Sequence, residues 1–368
     1  MSGIYADSVF QEELDFDRIG HETDVFCDRI DTLCRLADKL EDESIDTAAK
    51  AIYVERLKGI IGEQAVLDLF LDTENAKDKT SLIGKILGLI RKAIGALFSS
   101  LANYLTKVFS FVNLTLKKAN KLATQINRSL YRYDDTVPEI RNSGAVGAIV
   151  DNGKLPDAKR VNEILNRDLR TFSSEHLITA LMPSVASLVA ESYSGKSLAE
   201  IKESLNARYK LIEDTAKSKY KASKVVKKET NFLTYGIKGL PNKIEISWKA
   251  GQPPQASIAK AKVRRGTMMK GYGPAEAQSV ITGVVSMLSF ILDKDNGSKF
   301  KKEIDKMNSS LKAANDGAKP VREIAKIVPQ WVKFIRNHIK TTIDYEYRIC
   351  RAAYIAVAAS KEKWTMSK

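Results

Sequence analysis

From Ile83 to Val112 the chain keeps one helical beat. Ile83, Ile86, Leu87, Ile90, Ile94, Leu97, Leu101, Leu105, Val108, Phe109 and Val112 recur at three- and four-residue steps. Lys85, Lys92, Ser99, Asn103 and Lys107 fall off that stripe. The spacing predicts one amphipathic helix of about eight turns. A membrane-spanning helix needs about 20 apolar residues with few charges. Lys85, Arg91, Lys92 and Lys107 leave only Ala93–Thr106 uncharged, so a span is not expected. Two covers for the apolar face remain open. One is a set of partner helices; the other is a membrane surface met by a basic amphipathic helix.

Most amphipathic stripes are core, which favours partner helices. Residues 8–40 read as a helix, with Phe26, Ile30, Leu33, Leu36 and Leu40 on one face. A second helix is expected from about Asp46 to Leu71, with Ala48, Ile52, Ile60 and Ala65 inward. The polar run Asp72–Lys79 reads as a linker. Loop is expected from Asn142 to Pro156, with Ala145–Val150 as a short strand, and a helical run begins at Pro156. A further apolar helix, bent at Pro183, spans SSEHLITALMPSVASLVAES. Leu198, Ile201, Leu205, Tyr209 and Ile212 form the stripe of the next helix, whose far end is Lys-rich.

Residues 231–265 change period. Phe232/Thr234 and Ile244/Ile246/Trp248 alternate around a Gly239–Asn242 turn, which predicts a β-hairpin. From Pro274 the helical pattern returns. Val280, Ile281, Val284, Val285, Leu288, Ile291 and Leu292 form a core helix stopped by Asp293–Gly297. A Lys-rich helix near 298–315 and a last helix from Pro320 to about Lys361 follow. The fold class expected is therefore mainly α: an elongated multi-helix bundle with a small β-hairpin insertion around 231–250. Four regions are expected: 1–80, an acidic helical segment; 81–230, an amphipathic and basic helical body; 231–273, hairpin and basic loop; 274–368, a C-terminal helical region.

Charge divides along the same lines. Residues 1–80 hold 20 Asp and Glu against 9 Lys and Arg, a net of −11. Residues 81–368 hold 25 against 50, a net of +25. Such an excess exceeds what solubility requires and points to an anionic partner. The acidic head has the character of a built-in counterweight. Two basic stretches interleaved with aromatics are the candidate nucleic-acid contacts: Lys217, Lys219, Lys221, Lys224, Lys227 and Lys228, then Lys260, Lys262, Arg264, Arg265, Lys270 and Tyr272. Lysine and arginine neutralise phosphates, and Tyr220, Trp248 and Tyr272 are of a type that stacks on bases.

No catalytic, cofactor or metal motif accompanies them. Gly271–Ala275 lacks the rest of a phosphate loop and reads as a turn. His21, His176 and His338 are scattered, and no HExxH or CxxC spacing occurs. Cys27 and Cys34 lie seven residues apart on one helix face and read as buried apolar residues; Cys350 stands alone. The acidic start MSGIYADSVFQEELDFD does not read as a secretory signal, so free thiols in a reducing compartment are expected.

The order of features resembles the internal head (prohead core, or inner-body) proteins of large tailed bacteriophages. The resemblance rests on SIDTAAKAIYVERLKGIIGEQ, on LIGKILGLIRKAIGALFSSLANYLTKVFSFVNLTLKKANKLATQI, and on TTIDYEYRICRAAYIAVAAS. It implies a virion structural protein of the capsid interior, present in the host cytoplasm during assembly. Its partners would be packaged double-stranded DNA and capsid or other head proteins. It also implies a prohead protease that removes the acidic segment by cutting after Glu. Ile61-Gly62-Glu63 fits its motif best, since charge changes nearby; Leu198-Ala199-Glu200 and Ser173-Ser174-Glu175 also fit. The hairpin has no place in the resemblance. The expectation is thus a non-enzymatic protein packaged with the genome. The alternative is a membrane-active helical protein, a pore former or host-delivered factor, working through residues 82–116.

Overall fold

The architecture comes from a computed structural model. It describes residues 16–41, 79–142, 144–150, 154–172, 222–227, 230–235, 244–248, 255–258, 266–293, 301–306 and 318–367, with isolated positions at 52, 55, 56, 59, 197, 199, 200, 203, 207 and 309. Four long helices dominate the described residues: α1 (Phe16–Glu41), α2 (Lys79–Ser129), α5 (Pro274–Ile291) and α6 (Ala318–Lys361). Between them lie α3 (Ala158–Glu163), a π-helical turn (Ile164–Asp168) and α4 (Leu169–Phe172). The protein is mostly helical.

The apolar stripe of α2 is what organises the core. Ile86, Ile90, Ile94, Leu97, Leu101, Val108 and Val112 are fully buried, and α1, α5 and α6 all pack on this helix. Phe109 is half-buried against the same core. From α1 come Cys27, Ile30, Leu33, Leu36 and Ala37; from α6, Val328, Val332, Ile335, Ile339 and Ile343. On α5, Val280, Ile281, Val284 and Leu288 are fully buried. Each sits at the spacing that puts it on one face, so burial follows the sequence pattern. Two helices, Ile86–Arg128 and Pro274–Ile291, are long and apolar enough to cross a membrane by length and composition. Half of each apolar window is buried inside the protein.

Some sequence expectations change. Lys79 opens α2 instead of closing a linker. Val146–Ala148 is a 3-10 turn, not part of a strand. Small apolar residues in a run of six do not distinguish strand from turn, and here Val146, Ile149 and Val150 are buried where the turn meets α6. Ile52, expected inward, is 59% exposed.

Two antiparallel sheets are present among the described residues. Strands β1 (Glu139–Arg141) and β6 (Met268–Lys270) pair with Ile140 opposite Met269, both buried. The expected hairpin is seen as β3 (Thr230–Tyr235) and β4 (Ile244–Trp248), with Asn231 opposite Trp248 and Tyr235 opposite Ile244. It is extended on both sides by β2 (Ala222–Lys227) and β5 (Gln255–Ile258), giving the order β2-β3-β4-β5. The Lys-rich end of the preceding helix was expected to be helical, yet Ala222–Lys227 is strand. Its Val225-Val226 pair suits a pleated ladder better than a helix.

Candidate polyanion-binding surfaces

The acidic segment meets basic residues at one seam. Along α1, Asp24, Asp28 and Asp38 recur at helical steps; along α6, Lys326, Lys333 and Arg336 do the same. The two helices run antiparallel and the charges pair in register. Arg336 Nη1 lies 2.6 Å from Asp24 Oδ2, Lys333 Nζ lies 3.2 Å from Asp28 Oδ1, and Lys326 Nζ lies 3.9 Å from Asp38 Oδ2. Arg336 is the least exposed member, 13% exposed, and its Nη1 also donates to the Gly20 carbonyl oxygen at 2.8 Å. Burial is the largest single influence on Lys333 and works against its cation, but the hydrogen bond to Asp28 and the neighbouring negative groups, Asp31 among them, together hold the ammonium above its ordinary range. Burial pushes Asp31 up, against the pull of Lys333.

This seam lies over apolar packing. Thr23 and Ser100 share a buried hydrogen bond of 2.9 Å between α1 and α2. The Cys27 thiol donates to the Pro329 carbonyl oxygen of α6, 3.7 Å away. Burial pushes the Cys27 thiol up to about 12, and the Cys350 thiol is raised well above its ordinary value, first by burial and then by Glu346. All three cysteines are free and buried, so none presents a thiolate. No group of three or more His, Cys, Asp and Glu able to hold a metal occurs among the described residues.

Tyr272, offered above for base stacking, is 2% exposed. Its hydroxyl donates to the Pro156 carbonyl oxygen at 3.0 Å, and its amide donates to Ser360 Oγ at 3.0 Å. Trp364 Nε1 donates to the Tyr272 carbonyl oxygen at 3.0 Å. Gly271 N donates to Pro138 O at 2.7 Å, completing a knot of four distant segments. A Cβ at Gly271 would stand 2.6 Å from Ser360 Oγ and 3.0 Å from Pro138 O, so the position demands glycine for close approach. Gly271–Ala275, expected as a turn, is instead the lead-in to a helix: Gly273, in an extended conformation, is the N-cap of α5, and Pro274 and Ala275 lie in its first turn. Tyr272 is a structural anchor and has no face for a base.

The other sequence-selected residues are placed as follows. Lys270 is exposed on β6, opposite Glu139. Lys224 and Lys227 belong to β2, opposite Leu233 and Thr230. Lys217, Lys219, Lys221, Lys228, Lys260, Lys262, Arg264, Arg265 and Glu63 lie outside the described residues. Glu200 caps a helix start, accepting from Ser197 N at 2.6 Å and Ser197 Oγ at 2.7 Å. The seam residues were missed by sequence reading, although acids at 24, 28 and 38 and cations at 326, 333 and 336 share helical spacing. A charge count gives each segment its sign but not the face it meets.

Comparison with models of protein families, with curated proteins and with solved structures gave no match.

Proposed function

We propose that the protein is a non-enzymatic structural protein that holds nucleic acid through a basic helical body, partly neutralised by its own acidic helix. The setting we propose is the interior of a phage head, packaged with double-stranded DNA among other head proteins. The observation that carries the reading is the α1–α6 seam: Asp24, Asp28 and Asp38 stand where phosphates would otherwise meet Arg336, Lys333 and Lys326. An elongated bundle belongs to the same reading, since the 51 residues of α2 give an axis of about 77 Å.

Cleavage after Glu63 by a prohead protease fits this proposal in a restricted form. Cutting the chain there would free α1 covalently. Its fully buried Cys27, Ile30, Leu33 and Ala37 would still hold it in place. Unmasking would then require α1 to leave its apolar bed as well, so proteolysis and displacement are separate steps. Mass spectrometry of mature particles tests the cut: an intact N-terminus on the packaged protein would remove it.

The charge argument has its own test. In the triple variant Asp24→Asn/Asp28→Asn/Asp38→Asn, three cations lose their partners while α1 keeps its apolar contacts. Full-length protein carrying these changes should hold duplex DNA more tightly than wild type and lose it more steeply with salt. Equal retention by both proteins would defeat the masking reading.

The second reading, a membrane-active helix at residues 82–116, draws on the length and apolarity of α2 and α5. It requires α2 to abandon three partner helices before its apolar stripe reaches a lipid. Leakage of dye from liposomes by the intact protein is its test.

A further inference from the structure

α2 contains nine Lys and Arg and no Asp or Glu in 51 residues. Partner helices cover its apolar stripe, while cations of its second half stay open to solvent. Lys107, Lys117, Lys121 and Arg128 are all exposed. At 100° per residue they fall within about 80° of arc, on one face. None of the four makes an ion pair among the described residues. Ser110 lies among them on the same exposed face, and Ser99 and Asn103 continue it towards the helix start. Lys361 joins it from α6: its Nζ donates to Gln125 Oε1 at 2.8 Å, a neutral amide that leaves its charge in place.

The ends of this track are marked by carboxylates. Near its start, Asp305 and Lys301 line an open groove of about 800 Å³ against Asn103, Thr106 and Ser110. Exposed carboxylates return past the helix end at Asp134, Asp135 and Glu139, and at Glu362 next to Lys361. Between those limits the face carries cations, hydroxyls and amides, the donor set that meets phosphate oxygens. Leu114, 41% exposed, is the large apolar side chain on it. A lipid surface would need an apolar face to enter the acyl boundary, so one leucine argues against a membrane. From Lys107 to Arg128 the rise is about 32 Å, close to the roughly 34–36 Å of one duplex turn.

We propose that this face of α2 is the duplex-contact track, with Lys107, Lys117, Lys121, Arg128 and Lys361 meeting backbone phosphates of double-stranded DNA without reading bases. The inference rests on the nucleic-acid reading above and moves the contact from the sequence-selected stretches at 217–228 and 260–272 to α2.

The test is the salt dependence of binding of the full chain to a fluorescent duplex of about 30 base pairs, long enough for the track. Each neutralised phosphate contributes about 0.9 to the slope of log affinity against log salt. The variant Lys107→Gln/Lys117→Gln/Lys121→Gln/Arg128→Gln should lose about 3–4 from that slope and about 100-fold in affinity near 0.1 M salt. Leu114→Glu, at an exposed position, should weaken binding about tenfold by placing a carboxylate among phosphates. It decides the matter if the quadruple variant fails to fold. A wild-type chain that does not bind duplex at low salt defeats the nucleic-acid reading itself. A wild-type chain that binds, with both variants binding equally well, overturns the track alone. Preference of wild type for vesicles of anionic lipid over duplex also overturns it.

Discussion

Arg336 on α6 closes on Asp24 of α1, with 2.6 Å between Nη1 and Oδ2. The guanidinium lies in a space that Gly20 leaves open: a Cβ there would stand 3.1 Å from Nη1 and 3.2 Å from Cδ. Sequence positions more than 300 apart are thus fastened by one ion pair, one side-chain hydrogen bond to a backbone carbonyl and one missing methyl group. The pair differs from Lys333–Asp28 and Lys326–Asp38, whose partners are more exposed. Exposed pairs contribute about 0–1 kcal/mol each.

Arg336→Gln should therefore cost more than Lys326→Gln. The expected loss is about 1–2 kcal/mol for the first, because Asp24 and the Gly20 carbonyl lose a partly buried partner. For the second it is under about 0.5 kcal/mol. Urea unfolding of the two variants, followed by circular dichroism, measures the difference. Equal midpoints would show that the seam contributes charge balance and little stability.

Glu346 gives the protein a pH dependence of its own. It is 1% exposed on α6, and Oε1 has no hydrogen-bond partner. Burial raises its carboxyl well above the ordinary 4.5. A carboxyl whose folded pKa is raised binds more protons in the folded state than in the unfolded state. Its contribution is intact below about 4.5 and turns unfavourable as pH rises from there towards the folded pKa. Glu346→Gln cannot ionise. The variant should gain stability relative to wild type as pH increases from 5 to 8. Thermal unfolding across that range reads it; a constant difference between the two proteins would contradict it.

Gly271 and Ser360 form the tightest point of the Tyr272 knot. Ser360 Oγ accepts from Tyr272 N and donates to Ala356 O at 2.7 Å, so it links the β6 exit to the end of α6. Ser360→Ala leaves the buried Tyr272 amide without its acceptor and should cost about 1–3 kcal/mol. Gly271→Ala should cost at least about 2 kcal/mol, since both Pro138 backbone and Ser360 must shift. Both losses are read from calorimetric midpoints. Little change in the Gly271→Ala midpoint would mean that the knot yields easily.

Periodicity made the helices legible. The stripes of α2 and α5 and the last helix could be read because each repeats over many residues, and most of the residues read on the α2 and α5 stripes are buried. What stayed hidden was contact between distant segments. Glu139–Arg141 has three residues and its partner begins at Met268, so no local alternation announces the sheet. Tyr272 sits in a basic stretch that suggests a phosphate partner. Its burial is decided by Pro156, Ser360 and Trp364, which composition near residue 272 cannot reveal. The charge split was visible as a total. Its structural meaning, acids at 24, 28 and 38 against cations at 336, 333 and 326, depended on α1 lying antiparallel to α6.

Leu97 separates the packed reading of α2 from the membrane-active one. It is fully buried, midway along the apolar stripe. Leu97→Ala should cost about 2–5 kcal/mol through lost burial and the cavity left behind. Leu97→Asp would place an unpaired carboxylate in the same space and should unfold the protein outright. Leu114→Asp, on the exposed face of the same helix, should leave the unfolding midpoint nearly unchanged. If α2 works instead by entering membranes, Leu97→Asp would abolish liposome leakage in a protein that remains folded. Circular dichroism of the three variants beside a leakage assay decides between them: loss of helix in Leu97→Asp alone means that the stripe is core.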